Sequence, residues 1–231
     1  APGASALIAR LPLLARPGPV HIPGPTYNEH AAAFRAAGHT IGPGGPTAVV
    51  VHPNNPDGAL RPRPDAPLAI IDESFCDVSP EVSHIDHATR PGTVILKSFG
   101  KFWGLGGLRL GFAIGTPETL APLRDALGPW PVSGPALAIG TAALSDPTWA
   151  ATTRTRLARD ADRLDTCMAP HGRLVGGTTL FRLYEVPDAA ALRDRLARRR
   201  IWSRTFPYST TWLRLGLPPA DGWDRLADAL S

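Results

Sequence analysis

At 231 residues the chain can bury a sizeable core, as one large domain or as a domain with a smaller companion. Its formal net charge of +4 is scattered apart from Arg198-Arg199-Arg200, which fits attraction for small anionic ligands rather than the basic, aromatic-laced stripe of a nucleic-acid binder. Cys76 and Cys167 make no disulfide framework or zinc spacing, no apolar run approaches membrane-spanning length and no signal peptide is visible, so a cytoplasmic protein is expected.

Gly3-Ala4-Ser5-Ala6-Leu7-Ile8 opens a helix on small residues; its N–H groups and the Ser5 hydroxyl can hold a phosphate or simply form an ordinary cap. Val20-His21-Ile22 is a short strand between two Pro-Gly-Pro breakers. Tyr27 stands before a helix predicted from Asn28 to Ala37, with Asn28 as its N-cap. Its ring either packs the loop or offers a flat face to another ring. Thr47 to His52 is rich in β-branched residues, as a strand buried on both faces should be. It runs into Asn55-Pro56-Asp57-Gly58, a turn sequence placed where open α/β sheets bind ligands. Leu68-Ala69-Ile70-Ile71 is a second such strand and ends in Asp72-Glu73, where Asp72 either caps a loop or keeps a basic group of a ligand protonated. His84-x-x-His87, with Asp86 between, falls in a connecting stretch without a third ligand at recognisable spacing and reads as loop.

Thr93-Val94-Ile95-Leu96 is a third buried strand, and Lys101 lies just beyond it in a glycine-rich and aromatic loop. The chain has only two lysines, Lys97 and Lys101; its other cationic side chains are arginines. Flanked by Phe102 and Trp103, Lys101 is expected to be partly desolvated, which favours the neutral amine that attacks an aldehyde to form a Schiff base. Ser98 and Arg109, on either side of it, can both hold a phosphate. Gly104-x-Gly106 is not a dinucleotide loop, because Arg109 stands where the third glycine belongs.

Leu110 to Ile114 reads as a strand, Pro117 to Leu127 as a helix, and Pro129 to Pro135 as a breaker cluster that divides the chain into domains 1–133 and 134–231. Beyond it we expect a helix beginning near Pro135, a longer one from Thr148 to Met168, a strand from Thr178 to Tyr184 and a helix from Asp188 to Arg199. Strands at Ile201–Arg204 and Trp212–Leu217 and a helix from Asp221 to Leu230 complete the pattern.

Ser98-x-Gly100-Lys101-Phe102-Trp103-Gly104-Leu105-Gly106-Gly107-Leu108-Arg109-Leu110-Gly111 resembles the cofactor-lysine segment of fold-type I pyridoxal phosphate enzymes. Asn55-Pro56-Asp57-Gly58 and Asp72-Glu73-Ser74-Phe75-Cys76-Asp77 resemble two further motifs of these enzymes, in the family's order. The likeness is greatest to the branch of histidinol-phosphate aminotransferases and cobalamin-pathway threonine-phosphate decarboxylases. It implies an α/β class with a mainly parallel sheet in the large domain, a small α/β C-terminal domain, a homodimer when the chain is full length, and pyridoxal 5′-phosphate bound through Lys101. By the same resemblance Ala4, Ser5, Ser98 and Arg109 surround the phosphate, Tyr27 stacks on the ring, Asn55 donates to the ring oxygen and Asp72 meets the ring nitrogen. Arg214 matches the arginine that grips the substrate carboxylate and Arg204 a second anion-binding arginine, although either can also be a strand-edge residue in a surface pair.

Phe75 stands where aminotransferases of this branch usually carry tyrosine, and with Asp77 two residues on it looks more like the decarboxylases. The implied activity is decarboxylation of O-phosphothreonine, a small phosphorylated amino acid, to aminopropanol phosphate. Transamination of the histidinol-phosphate type is the alternative, and a non-catalytic remnant is a third reading. The third arises because Ala1-Pro2-Gly3-Ala4-Ser5 resembles a turn that the family places well inside its sequence, so an N-terminal arm is expected to be missing.

Overall fold

The β-branched runs form strands because each can bury both of its faces. In a computed structural model describing residues 1–231, β1 (Val20–His21), β2 (Thr47–Val51), β3 (Leu68–Asp72) and β4 (Thr93–Ser98) lie parallel in that order. β5 (Gly111–Ile114) closes the sheet antiparallel to β4, pairing Ser98 with Gly111. On one face Val49, Ile70, Val94 and Leu96 pack with Leu7, Phe34 and Leu123. These last three come from α1 (Ala4–Ile8), α2 (Asn28–Ala36) and α3 (Pro117–Leu127). On the other face Val50, Ile71 and Ile95 pack with Ala88. Both sets are buried, so these strands read as continuous apolar runs rather than alternating ones. Each large side chain buried there contributes about 1.5–3 kcal/mol of transfer free energy.

The chain divides into two compact units, Ala1–Asn55 with Ala59–Asp146 and Pro56–Gly58 with Pro147–Ser231. α4 (Gly134–Leu144) belongs to the first: a Cβ on its Gly140 would collide with Leu110 and touch Phe99, so the helix backbone lies directly against the large unit. The expected junction at the proline cluster therefore falls one helix before the division between the units. The cluster itself supplies a cap, with Ser133 Oγ accepting from Ala136 N at 3.3 Å.

In the second unit α5 (Pro147–Met168), α6 (Ala189–Arg198) and α7 (Trp223–Leu230) accompany an antiparallel sheet ordered β6-β7-β9-β8. Its strands are β6 (Arg173–Thr178), β7 (Phe181–Glu185), β8 (Arg204–Phe206) and β9 (Ser209–Gly216). Leu164, Met168, Leu196, Leu213, Leu215 and Trp223 form its core. Three expectations need correction. Thr178–Tyr184 is not one strand: Thr179 and Leu180 turn between β6 and β7, where Gly177 takes a φ of 145°. Ile201–Ser203 is not strand either, because Ile201 N is tied to Leu196 O at the end of α6 (3.0 Å). Asn28 is the first helical residue rather than the cap; Tyr27 occupies the cap position and its side chain does not cap the helix, and the Asn28 amide donates to Glu29 at 3.0 Å. No helix is long and apolar enough to cross a membrane.

Asp165 fastens α5 to β7. It accepts from Arg182 through both of its oxygens, at 3.0 Å from Nε, and from the Tyr184 hydroxyl at 2.6 Å. Replacing it leaves a guanidinium and a phenol without their acceptor. Asp165→Ala should destabilise the protein by about 3 kcal/mol in urea unfolding, with Arg182→Lys losing less because one charge-assisted bond survives.

Candidate active site

The carboxyl ends of β2, β3 and β4 open into a cavity of about 270 Å³, the position at which parallel sheets bind ligands. Nine residues singled out in the sequence line it, namely Ala4, Ser5, Tyr27, Asn55, Asp72, Phe75, Ser98, Lys101 and Arg109, and Ser74 joins them between the acid and the aromatic. Arg204 and Arg214 belong to the second unit, paired with each other across β8 and β9.

Asp72 ends β3 and is buried, with 2% of its surface exposed. His30 Nε2, from α2, lies 2.8 Å from its Oδ2. Its Oδ1 accepts from Ser74 N at 2.9 Å and Ser74 Oγ at 2.5 Å. Burial alone would raise the pKa, but the pairing with His30 and the bonds from Ser74 outweigh it and hold the carboxyl below its ordinary value. A permanent anion at this depth suits a ligand that brings a proton or a positive charge.

His30 was not singled out in the sequence, where it is one isolated histidine among seven. The available signal was its spacing: three residues after Tyr27 it shares a helix face with it, and the two rings meet edge to face at 6.0 Å. Asn54 was also missed. It accepts from Thr26 Oγ1 at 2.7 Å and donates to Pro25 O at 3.1 Å, fastening the strand end that carries Asn55 to the loop that carries Tyr27.

The phosphate candidates converge. Ser98 Oγ accepts from Gly100 N at 3.2 Å, and Arg109, in the left-handed region with φ 54°, donates to Gly106 O at 3.0 Å. A Cβ on Gly3 would strike the Arg109 guanidinium, so the turn before α1 and the end of the lysine loop lie against each other. Lys101 departs from expectation. It is exposed, because Phe102 turns into the core and Trp103 lies flat on Phe99 (5.3 Å, 15°), leaving neither to cover the amine. Its Nζ instead stands 5.1 Å from the centre of the Phe75 ring.

A family model for class I and II aminotransferases matches residues 46–230. The chain is 42% identical to a threonine-phosphate decarboxylase from Sinorhizobium sp, over 100% of this chain and 76% of that protein. A threonine-phosphate decarboxylase from Pseudomonas aeruginosa is 39% identical over 99% of this chain and 76% of its own. The chain belongs to the class I and II aminotransferase family. Among solved structures, the histidinol-phosphate aminotransferase of Sinorhizobium meliloti, in complex with pyridoxal-5′-phosphate, superposes with a TM-score of 0.86 at 20% identity, over 99% of this chain and 74% of that one. The L-threonine-O-3-phosphate decarboxylase of Porphyromonas gingivalis superposes with 0.83 at 19%, over 99% and 80%. At those identities the likeness concerns the fold.

The donor set in this family member's cavity suits a phosphorylated pyridine aldehyde. It offers hydroxyls and a guanidinium at one end, a buried anion at the floor, a primary amine and an aromatic face. The β2 end owes its position to His52, whose Nδ1 accepts from Arg61 N at 2.9 Å while Nε2 donates to Val82 O at 2.8 Å. That arrangement requires the neutral ring, and burial lowers the His52 pKa from its ordinary 6.5. A depressed histidine pKa contributes stability above the unfolded value, lost as pH falls through the folded one. Unfolding free energy should therefore decline as pH falls below 6.5, and His52→Asn should flatten that decline in urea titrations at each pH.

Proposed function

We propose that the chain is a pyridoxal-phosphate-dependent carbon–carbon lyase that decarboxylates O-phosphothreonine to aminopropanol phosphate. The observation that carries this is identity of 42% and 39% to two threonine-phosphate decarboxylases across essentially the whole chain. The histidinol-phosphate aminotransferase of Gluconobacter oxydans, by comparison, is 33% identical over 74% of the chain. Phe75 supports the same choice, since a phenyl ring brings no hydroxyl to the cofactor's ring oxygen and leaves Asn55 as the donor there.

In this reading Lys101 holds the cofactor through its amine, Ser5, Ser98 and Arg109 receive the phosphate beside the Ala4 backbone, and Tyr27 lies against the ring. Asp72 keeps a proton on the ring nitrogen, its own charge secured by His30 and Ser74. When bound, the cofactor supplies the electron sink for the pair released at the substrate carbon. The Lys101 amine would also be the group in the cavity able to move a proton at that carbon.

Arg214 and Arg204 take the substrate's two anions, the carboxylate and the phosphate. They pair across β8 and β9, and burial together with the charge of Arg204 brings the Arg214 pKa down to about 10, so an incoming anion relieves an unfavourable desolvated charge. Transamination is the second reading, favoured by the family description itself. A homodimer belongs to the proposal too: α4 leaves Leu137, Ile139 and Leu144 exposed on the large unit, apolar surface that a second copy can cover.

The protein with pyridoxal phosphate should show a visible absorption band that Lys101→Ala lacks, and with O-phosphothreonine it should release carbon dioxide and an amine. A keto product would establish transamination; a folded protein giving neither band nor product would leave the non-catalytic reading. Arg204→Ala should raise KM for O-phosphothreonine about tenfold while leaving KM for threonine unchanged, measured side by side.

A further inference from the structure

Two acids stand together at the end of β3, and only Asp72 reaches the cavity. Glu73, fully buried, turns the other way. Its Oε2 accepts from Lys97 Nζ at 2.8 Å and Ser83 Oγ at 2.6 Å, and its Oε1 from His84 N at 2.5 Å. Lys97 also meets Asp77 Oδ1 at 3.1 Å. The second oxygen of Asp77 accepts from the Trp103 indole at 2.9 Å.

This places one carboxylate across two walls of the cavity. Phe75 lies two residues before Asp77, and Lys101 two residues before Trp103. The loop from Ser98 to Arg109 contains Gly100, Gly104, Gly106 and Gly107, whose backbones resist rotation least, so a side-chain tether has a large effect on where Lys101 stands. Trp103 is a firm tether because it stacks on Phe99, which is 2% exposed. The chemistry of the tether is specific to a carboxylate. Asp77 faces an ammonium with one oxygen and an N–H with the other, and an asparagine in its place turns a donor toward one of these two donors.

We propose that Asp77 is a positioning residue: by gripping Lys97 and Trp103 at once, it joins the segment carrying Phe75 to the loop carrying Lys101 and so sets the placement of the Lys101 amine. This rests on the reading of Lys101 as the cofactor lysine. The same carboxylate sorts the two lysines. Burial lowers the Lys97 pKa, but Asp77 and Glu73 outweigh it and raise it above its ordinary value, so Lys97 stays an ammonium and does not compete for an aldehyde.

Because the chain has two lysines, competitive acetylation of the cofactor-free protein, read by peptide mass spectrometry, reports each amine separately. Trp103→Phe keeps an aromatic ring to stack on Phe99 and removes the indole donor together with the second ring. It should change the Lys101 acetylation rate at least about threefold and lower kcat about tenfold, with KM unmoved, cooperative urea unfolding retained and Lys97 still protected. Asp77→Asn should expose Lys97 as well, and the double variant should be no worse at Lys101 than Asp77→Asn alone, since both remove one link. Unchanged Lys101 labelling and kcat in Trp103→Phe, or effects of the two substitutions that simply add, would overturn the proposal. If Asp77→Asn does not fold, Trp103→Phe decides alone. A wild-type protein without a Lys101-dependent visible band refutes the reading of Lys101 itself, whereas a normal band with an indifferent Trp103→Phe refutes only the tether.

Discussion

A carboxylate buried at the end of a central strand is the constraint from which the rest of the site follows. Asp72 loses its water on folding, and an ion so placed is tolerated only when other groups replace the hydration. Ser74 does so locally, by turning its own N–H and hydroxyl back to Oδ1. Oδ2 needs a partner from elsewhere in the chain, and His30 supplies it from 42 residues away. That single contact fixes the rotation of α2 over the sheet, with Phe34 one turn further along the same face packed into the core. Tyr27, at the entrance to the helix, is thereby set beside the cavity.

The next residue shows how strand geometry separates two functions. Glu73 N still bonds to Leu96 O at 2.9 Å, so the extended chain continues past Asp72 and successive side chains point to opposite sides. One acid serves the cavity. The other gathers Lys97, Ser83 and the His84 backbone into a buried polar cluster, held below its ordinary pKa against the pull of burial by these three groups. Neither position can exchange roles with the other, because a one-residue slip would send Glu73 into the cavity and leave Lys97 facing no buried acid.

How much of this was legible in the sequence depends on how far each residue's partners lie. β2, β3 and β4 could be read directly, because burial on both faces leaves a continuous β-branched run, and the turn sequences at their ends put Asn55, Asp72 and Lys101 at one edge of the sheet. β6 was not legible: Arg173 and Leu174 are exposed and the glycines after them carry no pattern. The exposure of Lys101 was misread because adjacent aromatics in sequence need not be neighbours in space; Phe102 and Trp103 are drawn toward the core and Phe99 instead. His30, Asn54 and the tie from Asp77 to Trp103 are contacts between elements, and no spacing rule within a single element reveals them.

The antiparallel return of β5 explains why the lysine loop can gather phosphate-binding groups within so few residues. A parallel successor to β4 would need a crossover and would carry the chain to the other end of the sheet before it rejoined. Here the chain turns back: Phe99 N bonds to Leu110 O at 3.1 Å, and Ser98 pairs with Gly111. Ser98 and Arg109, eleven positions apart, are thus brought to the same sheet edge with Lys101 on the loop between them. Gly111 completes the arrangement, since a Cβ there would run into the backbone of Gly3 and Ala4. The absence of a side chain at that position is what lets the turn before α1 settle against the sheet edge, so that Ser5 and Arg109, from segments about a hundred residues apart, line one end of the same cavity.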